Sequence, residues 1–147
     1  MKTYFPKKEF HNPKYYILDA NEKILGRLAS QVSLLLIGKY TSFYTPGSDQ
    51  GNFVIIINAE KITISGKKIY QKKYYRNSQR PGSLKIKTFL QLKKSLPTQI
   101  IKKAIYGMLP KNKLKKKYIN RLFIYSDKNF LGQNLASISF LKAKWIN

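Results

Sequence analysis

The chain predicts a layered α/β domain on a small, mainly parallel sheet of about four strands, with an extended basic arm and basic loops attached. Three observations lead there. Phe53, Val54, Ile55, Ile56 and Ile57 form an unbroken apolar run, which suits a strand covered on both faces. Upstream, apolar residues between 24 and 37 recur at helical spacing. A strand precedes that helix, so the order strand, helix, strand favours a parallel pair joined by a right-handed crossover.

The elements follow in order. Residues 1–14, with Pro6 and Pro13, read as an extended basic arm. Tyr15 to Asp19 is aromatic and β-branched, hence a strand. Asn21 is the expected helix cap, and Leu25, Leu28, Ala29, Val32, Leu35 and Leu36 mark the buried stripe of a helix that Gly38 stops. Its other face offers Arg27, Ser30 and Gln31. Residues 40–52 form a loop; after the apolar strand, Ile62 and Ile64 predict a short further strand ending at Gly66. Residues 67–87 are basic, interleaved with tyrosines and broken at Pro81-Gly82, and predict a long exposed loop. Thr88 to Leu96 predicts a helix, and Pro97 opens another that Pro110 ends. Asn112 is the expected cap of a third short helix, with Leu114, Tyr118 and Leu122 on one face, and Leu122 to Tyr125 a final strand. From Asp127 onward no period is evident.

Composition bounds the function. The 147 residues and 43% hydrophobic content fit one compact domain, placed at residues 15–126 between the arm and a tail at 127–147. Cysteine is absent, which excludes disulfides and thiolate metal sites. Lys2, Lys7 and Lys8 are not followed by an apolar stretch of signal-peptide length, and no run spans a bilayer, so a soluble protein without a targeting signal is expected. Lys, Ile, Asn, Tyr and Phe are plentiful, a bias that suggests an AT-rich genome.

Charge names the partner class. The formal charge is +23, and between Glu60 and Asp127 nineteen Lys or Arg residues face no acidic side chain at all. Such a folded surface repels itself, and a polyanion relieves it by releasing counterions. Nucleic acid is the expected partner; an anionic membrane is the competitor.

Several segments then carry a resemblance. Leu25-Gly26-Arg27-Leu28-Ala29, Tyr44-Thr45-Pro46 with Asp49 and Gly51, Val54 through Lys61, Gly66-Lys67-Lys68, Arg80-Pro81-Gly82 and Gly107-Met108-Leu109-Pro110-Lys111-Asn112 occur in this order. Together, over about residues 3 to 126, they resemble the family of the thirteenth protein of the large ribosomal subunit, in its bacterial and organellar form. The resemblance implies a three-layer α/β/α domain that binds 23S-type ribosomal RNA early in subunit assembly, near the ribosomal proteins numbered three and twenty. It implies no catalysis, cofactor, metal or small-molecule substrate. Arg80-Pro81-Gly82 looks like the cyanobacterial and plastid variant, which points to a plastid ribosome first and a bacterial cytoplasm second. Asn52 departs from the family's usual Asp, Asn77 from a common His, and Gln79 and Ser83 from common glycines. After Tyr125 the likeness fades.

Two basic surfaces are the candidate RNA-binding sites. In the first, Lys67, Lys68, Lys72, Lys73, Arg76, Arg80 and Lys85 suit phosphates, while Tyr74 and Tyr75 suit stacking on unpaired bases. In the second, Lys111, Lys113, Lys115, Lys116, Lys117 and Arg121 ride on a helical segment whose apolar face is too narrow for a membrane surface. Arg27, Lys39 and Tyr44 complete the set. Gly26 is expected to allow tight helix-to-strand packing, and Gly107 a close approach of backbone or RNA. The alternatives are a basic RNA-modifying or RNA-processing enzyme and a DNA-compacting protein. An enzyme needs positioned acids and bases; the sole histidine, His11, lies in the arm, and Asp19 and Asp49 are a pair that strand ends would have to bring together.

Overall fold

The computed structural model describes residues 6, 12–42, 44–127 and 144–146. Most of the expected arm, with His11, and most of the expected tail lie outside the described residues. Strand β1 (Tyr15–Asp19) pairs in parallel with β2 (Phe53–Ile57), Tyr15 opposite Phe53 and Asp19 opposite Ile57. The two leading rings stack, with centroids 4.8 Å apart. Strand β5 (Leu122–Ile124) lies parallel to β2 on its far side, and β6 (Lys144–Ile146) parallel to β1, giving the order β5-β2-β1-β6.

The apolar run of β2 is buried on both sides, as its composition requires. Successive side chains point to opposite faces. Val54 and Ile56 therefore join Leu18 in the larger core, whereas Ile55 and Ile57 meet Ile17, Phe123 and Tyr125 across the sheet. Helix α1 (Leu25–Ile37) closes the larger core with the stripe that its periodicity predicted. The helix α4 (Pro97–Met108) packs beside it through Ile100, Ile101 and Ile105, and α3 (Phe89–Ser95) adds Phe89 and Leu92. Each such side chain contributes about 1.5–3 kcal/mol on burial. The layered α/β reading holds.

Some local expectations are replaced. Asn21 does not cap α1: Ile24 precedes the helix, and the Leu25 N–H donates to the Thr63 carbonyl at 2.9 Å. That bond belongs to an isolated bridge between Ile24 and Thr63, the whole of the strand expected at Ile62 and Ile64. At the other end Gly38 takes φ +80° and the Lys39 N–H returns to the Leu34 carbonyl, so the glycine stop is as expected. Residues 67–87 are not one loop. They form a short helix α2 (Lys68–Gln71) and an antiparallel hairpin, β3 (Lys73–Arg76) with β4 (Lys85–Thr88).

Thr88 then caps α3 reciprocally: its hydroxyl accepts from the Gln91 N–H while Gln91 Oε1 accepts from the Thr88 N–H. Pro97 opens α4, as its missing donor favours. Asn112 is not a side-chain cap; only its carbonyl serves, accepting from the Lys115 N–H, and α5 (Lys115–Asn120) follows Leu114.

Candidate nucleic-acid interface

The hairpin sets its charges by register. Arg76 lies opposite Lys85 and Tyr74 opposite Lys87, on one face, while Tyr75 and Ile86 pair on the other. Like charges directly opposite destabilise a ladder. All the hairpin's cations are exposed. The two tyrosines divide: Tyr75 is 60% exposed, but Tyr74 packs against the core, and its ring lies within 5.6 Å of Lys72 Nζ and 5.4 Å of Lys103 Nζ. Stacking on a base is therefore open to Tyr75 and not to Tyr74. Lys103 is also a residue that sequence reasoning missed, since the Lys102-Lys103 pair on an amphipathic helix reads as its solvated face.

The hairpin tip explains two departures from the family pattern. Ser83 Oγ donates to Asn77 Oδ1 at 2.6 Å, and the Gln79 N–H donates to the same oxygen at 2.9 Å. Asn77 and Ser83 thus form one clasp that presents Arg80 at the turn. Gln79 adopts φ +66°, where a glycine costs less. Asn52 is explained as well: it is buried, its Oδ1 accepts from the Lys14 N–H at 3.0 Å, and its Nδ2 donates to the Leu35 carbonyl at 3.1 Å. An ionised Asp could not make the second bond.

The second surface is built on α5. Lys113, Lys116 and Lys117 are exposed, as is Lys111, but Lys115 Nζ sits 3.6 Å from the centroid of the Tyr106 ring. Lys115 is thereby partly engaged within the protein. Arg121 is engaged fully: it grips Asp49 with two bonds, at 2.7 and 2.6 Å, both side chains more than four-fifths buried. Its guanidinium holds the 40–52 loop to the domain and is not free for phosphate. Tyr44 is half-buried in the same neighbourhood, whereas Lys39 and Arg27 are exposed at opposite ends of α1.

The carboxylates that an enzyme would need lie apart. Asp19 ends β1 and accepts from the Asn21 N–H and Asn58 Nδ2; Asp49 precedes β2 and pairs with Arg121, at the other end of the sheet. Turn and ion-pair duties account for both. Gly26 does not serve tight packing either, because a Cβ there would meet nothing within 4 Å.

Three tyrosines give this fold an alkaline limit. Burial pushes the Tyr118 phenol above its ordinary value of 10.0, the charges of Asp49 and Tyr44 add to that, and Arg121 opposes it. Burial alone raises Tyr74 and Tyr125. In the unfolded chain these phenols ionise first, so the native state binds more protons and stability falls as pH rises above about 10. Melting temperature should be flat with respect to these groups below that pH and drop above it, with a shallower drop in Tyr118→Phe. An equal drop in that variant would contradict the assignment.

Comparison with known proteins adds the relatives. The model of the family described as Ribosomal protein L13 matches residues 13–130. The large ribosomal subunit protein uL13 of Trichodesmium erythraeum (strain IMS101) is 46% identical over 128 residues, covering 87% of this chain and 85% of its own. Those of Cyanothece sp. (strain PCC 7425 / ATCC 29141) and Thermosynechococcus vestitus (strain NIES-2133 / IAM M-273 / BP-1) are each 48% identical, covering 85% and 86% of this chain and 84% and 83% of their own.

Proposed function

We propose, from the premise that this chain belongs to the ribosomal protein L13 family, that its hairpin and its α5 segment hold two separate segments of large-subunit ribosomal RNA and stabilise their junction. The chain is a structural constituent of the large subunit of a bacterial-type ribosome, a non-enzymatic protein that binds the subunit's RNA.

The observation that carries the bridging role is the pair of uncompensated cationic surfaces. On the hairpin, Arg76 faces Lys85 across the ladder with no acid beside them, a repulsion that a phosphate between them turns into attraction. On α5, Lys116 and Lys117 are likewise exposed. Helix α1 sets the spacing. Its first turn adjoins α2, its last turn adjoins the Gly51 and Arg121 contact, and its 13 residues span about 20 Å. The candidate RNA-binding residues are then Lys67, Lys68, Lys72, Lys73, Tyr75, Arg76, Arg80 and Lys85 at one end. Lys39, Lys111, Lys113, Lys116 and Lys117 serve the other. Arg121, Tyr74 and Tyr44 support these surfaces from within.

Crosslinking in cells followed by sequencing of the bound strands tests this. Two discrete sites in the large ribosomal RNA are expected, one abolished by hairpin charge-neutral variants and the other by α5 variants. A single site, or a flat distribution over transcripts or genomic DNA, would defeat the bridging reading. The ribosomal proteins numbered three and twenty are the proposed neighbours, and a plastid ribosome the proposed home. The family resemblance supports the first, and the Arg80-Pro81-Gly82 variant with the AT-rich bias supports the second.

A further inference from the structure

Gly26 in α1 and Gly107 in α4 have no intramolecular reason to be glycine. Neither takes a positive φ, and a Cβ built on either meets no atom within 4 Å. Both line one groove of about 650 Å³ between the start of α1 and the end of α4. Arg27, Lys68, Lys72 and Lys103 also line it. Among the described residues the ion pair of the fold is Arg121 with Asp49, so no carboxylate neutralises these four cations. Met108, 46% exposed, supplies an apolar wall.

We propose that this groove seats the sugar–phosphate backbone of an unpaired stretch of the large-subunit ribosomal RNA, with riboses against the bare helix backbone at the two glycines and phosphates on the surrounding cations. The proposal rests on the RNA-binding reading above and extends its hairpin-end surface, through the shared Lys68 and Lys72, into the groove. Charge selects the occupant: four cations without an acid favour a chain that carries one anion per residue at regular spacing. The glycines select the approach. A floor without side chains admits the occupant to van der Waals distance from the helices, where any Cβ would stand between them.

The test uses an opposition that a merely structural glycine would not produce. Alanine is the better helix former, so Gly26→Ala and Gly107→Ala should melt no lower than the parent protein and up to roughly 2–4 °C higher. Binding of the purified full chain to transcribed large-subunit ribosomal RNA should nevertheless weaken. Gly107→Leu, which fills the groove, should weaken affinity about tenfold or more. Lys103→Gln should weaken binding and lower its salt dependence, with any fall in melting temperature limited to the loss of its contact with the Tyr74 ring. Unchanged affinity in the glycine variants overturns the groove and leaves the hairpin and α5 surfaces standing, as does a weakening that appears only together with a lower melting temperature. Failure of the parent protein itself to bind this RNA overturns both readings.

Discussion

Gly51→Ala is expected to destabilise the domain by about 2–4 kcal/mol, a large effect for one methyl group. A Cβ at this position would collide with the Leu36 carbonyl oxygen, a backbone atom in the last turn of α1, and with Nη1 of Arg121. Neither can withdraw cheaply. The carbonyl is fixed by its helix, and the guanidinium is held by its two bonds to Asp49. The loop before β2 would have to lift from α1, and the fork would open, leaving a largely buried carboxylate without its partner. Gly38 reinforces the clasp from the other side, because a Cβ there would strike the Gln50 carbonyl and its φ of +80° already requires glycine. Chemical denaturation checks this, with Gly26→Ala as the control in which the added methyl meets nothing. A Gly51→Ala protein as stable as the control would show that the loop yields freely. Arg121→Lys should also lower stability, since an ammonium cannot reproduce two parallel bonds to one carboxylate.

The triple replacement of Lys113, Lys116 and Lys117 by Gln is expected to reduce the slope of log affinity against log salt by about 2–3, at about 0.7–0.9 for each phosphate that a lysine no longer neutralises. These three are exposed and have no acidic neighbour. Lys115→Gln alone should change the slope less than any of them, because its ammonium already rests on the Tyr106 ring. Titrations of ribosomal RNA at several salt concentrations measure both. A triple variant with the parent's slope would place these lysines in water, and an effect of Lys115 equal to the others would mean that its ammonium leaves the ring for a phosphate on binding.

What the sequence disclosed follows from where each signal resides. Helix α1 and strand β2 were legible because burial writes itself into local spacing: a stripe in one, an unbroken run in the other. The pairing of Arg121 with Asp49 was not, since the partners stand 72 residues apart and only the folded chain joins them. The hairpin was hidden by its own function. Lys73–Arg76 and Lys85–Thr88 bury almost nothing, so their strand character rests on ladder bonds and on the clasped tip between them, while their charge imitates a loop. Caps failed in a consistent way as well. Asn21 and Asn112 are good capping residues in the wrong places, and the donors at the start of α1 are met instead by the backbone at Thr63. Of the candidate site, the exposed cations were readable from composition, but the sorting of Tyr75 outward and Tyr74 inward needed the register.

Strand β1 occupies an interior place in the sheet although one of its two neighbours, β6, comes from residues 144–146. Translation delivers these partners at very different times. While a nascent chain is still being extended, the Tyr16 to Leu18 backbone can zip to β2 but has an open flank on its other side, the kind of flank that recruits strands from foreign molecules. Until β6 has been made, the sheet is thus more adhesive than after β6 has paired, and β6 acts as the latch that retires that hazard.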